Sequence, residues 1–158
     1  MSDAVAGKDG WGIDHLSVAT RSVVMSRIRS VETGPERLLR ETLGRYGLRG
    51  WRKNRRFIPN ASSPDVAFTR WKVAVFVDGA FWHGHPKFFT PGKSGSYWDK
   101  KIARNRRRDR STTLAYRAAG WRVLRVWDFA VEESPDDVAR RVVDAVALRK
   151  TGSRTNAP

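Results

Sequence analysis

KVAVFVDGAFWHGH, residues 72–85, decides how this chain is read. Residues 72–77 (KVAVFV) form a short continuous apolar run, the pattern of a strand buried on both faces. Asp78-Gly79 ends it with a turn dipeptide. Residues 79–97 then read as a long loop broken by Gly and Pro, and a loop of that length inside a compact domain is usually functional. Upstream, residues 65–68 read as a short strand and residues 51–57 (WRKNRRF) as a strand with a basic face. A helix starts near Pro35, carries Leu39 and Leu43 four residues apart, and stops at Gly47. Residues 20–29 form a shorter helix candidate. Downstream, a long helix over 98–119 ends at Gly120, and residues 121–127 (WRVLRVW) make another strand. Ser134-Pro135 opens a last helix with Val138, Val142 and Ala145 on one face. The order α-α-β-β-β-α-β-α predicts an α/β fold, a mixed central β-sheet flanked by helices. Residues 1–16 read as a flexible arm, 17–148 as one domain, and 149–158 as a disordered tail.

Charge narrows the partner. The 158 residues carry 31 Lys and Arg against 16 Asp and Glu, a net +15. An Arg-dominated surplus suits bidentate phosphate binding, and a strongly basic domain is a nucleic-acid signature. There is no cysteine, which excludes disulfides and thiolate zinc sites. No run of 18 apolar residues is present, and the first 25 residues lack the apolar core of a secretory signal. A cytoplasmic, nucleoid-associated protein, monomeric and without a membrane role, is expected.

Three features carry chemistry. Asp65 opens one strand and Asp78 closes another, so two carboxylates can meet at one sheet edge; Mg2+ takes such oxygens together with phosphate and water. The same Asp78-Gly79 could equally be only a turn. His83 and His85 follow within seven residues, and imidazole is the usual acid or base near neutral pH. Asp109 shares a helix face with Ile102 and Thr113 inside the basic run RNRRRDR. An inward carboxylate there has a partner, either across the fold or in a neighbouring Arg. Glu36 shares the face of Leu39 and Leu43, but as a first-turn acid it also suits the helix dipole.

The motifs TRS-x2-M-x2-I, PE, PD, VFVDGAFWHGH, YWDKKI-x2-N-x3-DR and GWRVLRVWDFA follow one another over roughly Thr20 to Val131, most of the chain. In that order and spacing the chain resembles the very short patch repair (Vsr) endonucleases, of the PD-(D/E)xK type. The resemblance implies a restriction-endonuclease-like fold and Mg2+-dependent nicking of one DNA strand beside a T:G mismatch, with Mn2+ as a substitute metal. It implies that Asp65 binds the metal with the Val77 carbonyl, that His83 is a catalytic histidine, and that Asp109 and Glu36 support the catalytic histidines. Phe81, Trp82 and Trp98 would wedge into DNA beside the mismatch, and Met25 would insert from the opposite groove. Arg104, Arg106, Arg107, Arg108 and Arg110 are candidates for backbone phosphates.

Two departures stand out. Asp78 occupies the place of a second catalytic histidine and is expected to join Asp65 as a metal ligand. Ala80, Lys87 and Phe129 occupy places where the family pattern has zinc cysteines, leaving His85 alone of that set, so structural zinc is expected to be absent and packing to hold the loop. Two other readings remain: a nicking or restriction endonuclease of a phage-defence system without T:G preference, and an inactive DNA-binding module. Under the mismatch reading, repair-machinery proteins are expected partners.

Overall fold

A computed structural model describes residues 33–93 and 95–154 of the chain. The arm over 1–16, the helix expected over 20–29 and Met25 lie outside the described residues. The elements run α1 (Gly34–Arg45), β1 (Val66–Phe68), a turn of 3-10 helix (Thr69–Trp71), β2 (Val73–Asp78), α2 (Ser96–Ala118), β3 (Arg122–Trp127), α3 (Asp128–Glu133) and α4 (Pro135–Arg154). The three strands lie in the order β1-β2-β3. β1 pairs antiparallel with β2, and β2 pairs parallel with β3. The sheet is therefore mixed and helix-flanked, as the pattern predicts.

The apolar run makes β2 the centre because both of its faces are buried. On one face Val66, Phe68, Val73, Val75 and Val126 pack with Leu39 and Leu43 of α1 and with Val138, Val142 and Val146 of α4. Leu39 and Leu43 are wholly buried, and each such leucine contributes about 1.5–3 kcal/mol. On the other face Ala67, Ala74 and Phe76 pack with Tyr116 of α2 and with Trp121. α1 stops where expected. Gly47 adopts a left-handed φ of 74°, and Leu48 N–H closes onto Leu43 O at 3.0 Å.

The structure departs from the sequence reading in three places. Residues 51–57 form no strand; Arg52 alone pairs with Ala67, through two 2.8 Å hydrogen bonds. Two residues on, Asn54 turns to a φ of +51°, which breaks the extended run. Second, α4 continues through Arg154, so residues 149–154 are helix rather than tail. Arg149 donates to the Gly120 carbonyl at 2.8 Å and Lys150 lies over the Trp71 ring, so these cations dock on the body of the fold. Third, α3 was not foreseen. Asp128 starts it by accepting the Phe129 N–H at 2.8 Å, and six residues are too few to show helical periodicity. Among the described residues no helix is long and apolar enough to cross a membrane.

Candidate active site

Strand alternation and register place the first two groups. Asp78, the last residue of β2, shares the α2-covered face with Phe76. Phe76 is in register with Arg125 of β3, which therefore shares that face. The Arg125 guanidinium lies over the Phe76 ring, 5.0 Å from its centroid. It grips Asp78 with two bonds, Nε to Oδ2 at 2.7 Å and Nη2 to Oδ1 at 2.6 Å. From across the face, α2 contributes Asp109. Its Oδ1 lies 3.2 Å from Arg125 Nη2, and its Oδ2 is hydrogen-bonded to His83 Nδ1. His83 Nδ1 is also 3.6 Å from Asp78 Oδ1.

These contacts set charge states. Burial pushes the Asp109 carboxyl up, but its bond to His83, with the charges of His83, Arg125 and Arg108, outweighs burial and holds it below the usual carboxylate range. Arg125 is likewise penalised by burial, yet its bonds to Asp78 and its contacts with Asp109 raise it above its ordinary value. An ionised carboxylate only accepts, so His83 Nδ1 carries a proton; in the neutral ring the lone pair then sits on Nε2.

Asp65 stands at the neighbouring strand end. Its backbone N–H donates to Val75 O at 3.0 Å, and its Oδ2 accepts the Val77 N–H at 2.6 Å. The Val77 peptide thus faces the edge that β1 has just vacated, and its carbonyl points the same way. Burial drives the Asp65 carboxyl up to about 7 despite the Val77 bond, and the nearby acids Glu36 and Asp78 push in the same direction against Arg40. A half-buried carboxyl crowded by like charge, beside a backbone carbonyl, is an oxygen-rich position that a hard divalent cation would relieve. Asp65 and Val77 fit such an ion. Asp78 fits less well, since both its oxygens already accept from Arg125.

The loop between β2 and α2 is pinned where the chemistry needs it. His83 N–H returns to Gly79 O at 3.0 Å and His85 N–H to Ala80 O at 2.8 Å. The buried Asn105 of α2 donates its side-chain amide to Trp82 O at 2.9 Å, one helical turn before Asp109. Gly84 is required on two counts. Its φ is +71°, and a Cβ there would sit 2.8 Å from Ile102 Cγ2.

Two aromatic groups flank the loop. Phe81, Trp82 and Trp98 form one half-buried set, with ring centroids 5.3–5.5 Å apart. Lys101 Nζ lies over both indoles, 5.3 Å from Trp82 and 5.1 Å from Trp98. In the other group the four positions expected to lack their zinc meet one another. Besides its backbone bond to Ala80, His85 packs on Phe129 at 5.1 Å and on Trp127 at 4.8 Å. Its Nδ1 accepts the Lys87 N–H at 3.1 Å, and Lys87 Nζ covers the Phe129 ring.

The structure therefore gathers Asp78, His83 and Asp109 in one cluster, with Asp65 near enough to Asp78 for their charges to interact. Glu36 lies near enough to act on Asp65, but it makes no hydrogen bond to His83 among the described residues. Arg104, Arg106, Arg107, Arg108 and Arg110 are all exposed along α2. Sequence reasoning missed Arg125, Asn105 and Lys101. The available signal for Arg125 was parity: in WRVLRVW it falls on the same face as Phe76 once the register is known.

The comparisons agree with this architecture. The family model for the DNA mismatch endonuclease Vsr matches residues 13–87. The type II nicking enzyme V.NaeI of Lentzea aerocolonigenes is 41% identical over 145 residues, covering 88% of this chain and 84% of its own length. The type II nicking enzyme V.XorIIP of Xanthomonas oryzae pv. oryzae is 39% identical over 116 residues, 72% of this chain and 83% of the relative. The DNA mismatch endonuclease Vsr of Escherichia coli K12 is 34% identical over 115 residues, 72% of each chain. Sheet, site and relatives together define a DNA endonuclease built on the restriction-endonuclease-like α/β fold. The chain belongs to the very short patch repair (Vsr) family.

Proposed function

We propose that this endonuclease hydrolyses one strand of duplex DNA beside a T:G mismatch and uses Mg2+, for which Mn2+ can substitute. The observation that supports it best is the His83–Asp109 pair beside Asp78, whose charge reaches the crowded Asp65 carboxyl. Asp65 and the Val77 carbonyl hold the cation, with Glu36 nearby to add negative charge. Bound there, the metal would supply a more acidic water and positive charge at the scissile phosphate. His83 Nε2 takes or returns a proton during hydrolysis, while Asp109 fixes the ring and its tautomer. Phe81, Trp82 and Trp98 enter the base stack, which costs least where pairing is already weak. The exposed Arg104, Arg106, Arg107, Arg108 and Arg110 bind backbone phosphates and position the duplex. The enzyme works as a monomer on nucleoid DNA in the cytoplasm.

The names of V.NaeI and V.XorIIP favour one other reading, strand nicking without mismatch preference. Cleavage-site mapping separates the two. A duplex with one T:G pair and its matched counterpart, each labelled on either strand, are incubated with enzyme and Mg2+. A nick in one strand beside the mismatch and a slow matched duplex are expected. Equal nicking of both duplexes would replace the mismatch reading with the second.

A further inference from the structure

Asp78 follows Val77 directly, so its carboxylate is next in line for a metal. Its surroundings direct it elsewhere. Of the four carboxylate oxygens on Asp78 and Asp109, three lie within 3.2 Å of Arg125 nitrogens and the fourth is bonded to His83. Arg125 does not lose its proton, and its planar fork matches a carboxylate bidentately. The guanidinium is itself fixed. Its Nη1 donates to Asp109 O and Thr113 Oγ1, each at 3.4 Å, and the Phe76 ring lies beneath it. With a guanidinium wedged between two carboxylates, each oxygen there already has a charged partner, which disfavours a cation, although Asp78, His83 and Asp109 are close enough together to resemble a ligand set.

We infer that Arg125 is a positioning residue for His83, and that Asp78 is the anchor of Arg125 rather than a metal ligand. The two carboxylates compete for one proton, since Asp78 Oδ1 is 3.6 Å from His83 Nδ1 while Asp109 Oδ2 is bonded to it. Arg125 resolves the competition. It holds both Asp78 oxygens away from the ring and takes Asp109 Oδ1, which turns Oδ2 toward His83. The imidazole then has one orientation, and Nε2 has one place to deliver or accept a proton. This inference rests on the reading of His83 as the catalytic imidazole.

The test is single-turnover cleavage of the T:G duplex and its matched counterpart across a Mg2+ titration. It uses the full chain, Arg125→Met, Asp78→Asn and the double variant, with His83→Ala as reference. Arg125→Met is expected to slow the cleavage step by about 10²-fold, the cost of a misplaced catalytic group, without moving duplex affinity or the Mg2+ midpoint. Asp78→Asn leaves the Mg2+ midpoint in place. The double variant recovers part of the lost rate, because neither a lone carboxylate nor a lone guanidinium remains buried. A midpoint raised about tenfold in Asp78→Asn would make Asp78 a metal ligand and overturn the inference. So would an Arg125→Met that keeps its rate but binds DNA more weakly, with a salt slope smaller by about one, the mark of a phosphate contact. A double variant no faster than Arg125→Met would overturn it as well. Where Arg125→Met does not fold, Arg125→Lys decides: it keeps the charge but cannot span two carboxylates, so an intermediate rate supports the inference and a full rate defeats it. Wild-type cleavage by His83→Ala would instead remove the reading beneath it.

Discussion

His83 and His85 leave one loop two residues apart and meet opposite surroundings. His83 Nδ1 faces Asp109 and Asp78, with Arg125 behind them, so that nitrogen carries the proton. His85 Nδ1 accepts a backbone N–H from Lys87, so that nitrogen is bare, and its ring is packed between Trp127 and Phe129. In their neutral forms the two imidazoles are therefore opposite tautomers. One presents a lone pair on Nε2 among charges; the other is a flat ring among flat rings. The glycine between them sends the chain from one setting to the other, and Gly84 is also where the loop touches α2. Residue type alone assigns neither role; the neighbours do.

Four changes break or sharpen this contrast. The largest effect falls on the charged side. Asp65→Asn removes the carboxylate proposed to hold the metal, and cleavage in Mg2+ is expected to vanish while duplex binding persists in a gel-shift assay. The same substitution carries a stability signature. Native Asp65 keeps its proton up to about pH 7, whereas the ordinary carboxyl value is 3.8. Between those values the folded state holds a proton that the unfolded state has lost, so this group erodes stability as pH rises through that window. Asp65→Asn cannot ionise. In EDTA its melting temperature is expected to exceed that of the wild type at pH 8 and to match it near pH 4.

Gly84→Ala strikes the junction. The new methyl meets Ile102 and the backbone sits at a φ that an L side chain resists, so the loop must shift and His83 with it. A displacement of about 1 Å at a catalytic group costs roughly 10²-fold in rate. Stopped-flow cleavage at saturating enzyme measures it, and an unchanged rate would mean that the loop's path is not what places His83.

Trp82→Ala tests the half-buried aromatic set. Trp82 O holds the loop through Asn105, and any side chain retains that bond. The ring itself is expected to matter for DNA: the ratio of T:G to matched cleavage should collapse, with the melting temperature nearly unchanged. A large drop in melting temperature with the ratio preserved would assign Trp82 to loop packing, as with His85. The smallest catalytic effect belongs to Phe129→Ala, which empties one wall of the His85 pocket. It should lower stability by about 1–2 kcal/mol, a few degrees in melting temperature, and leave the cleavage rate within about twofold.

Much of this was legible in the sequence. The apolar run over 72–77 announces the central strand because burial on both faces removes alternation, and the long loop and long helix follow from Gly and Pro punctuation. Asp65, His83 and Asp109 could be named because each is an acid or imidazole at a strand end, loop or inward helix face. Other features depend on contacts that sequence spacing does not carry. Arg125 reads as an outward cation until the register with Phe76 shows that α2 covers its face. The strand expected over 51–57 fails because the pairing stops at a single bridge, Arg52 with Ala67, before Asn54 turns to a positive φ. Asp78 reads as a metal ligand from its local sequence alone; only the strand register brings the Arg125 guanidinium onto both of its oxygens.

The central claim is that His83 performs chemistry and His85 holds the loop. Single-turnover cleavage of the same T:G duplex in Mg2+ and thermal melting, measured side by side for His83→Ala and His85→Ala, test it most directly. Removing a positioned acid or base costs about 10²–10⁴-fold, so His83→Ala is expected to lose that much rate with little change in melting temperature. His85→Ala is expected to melt several degrees lower and, below its transition, to cleave at close to the wild-type rate. A His83→Ala enzyme that cleaves normally, or a His85→Ala enzyme that stays folded but cannot cleave, would contradict the account.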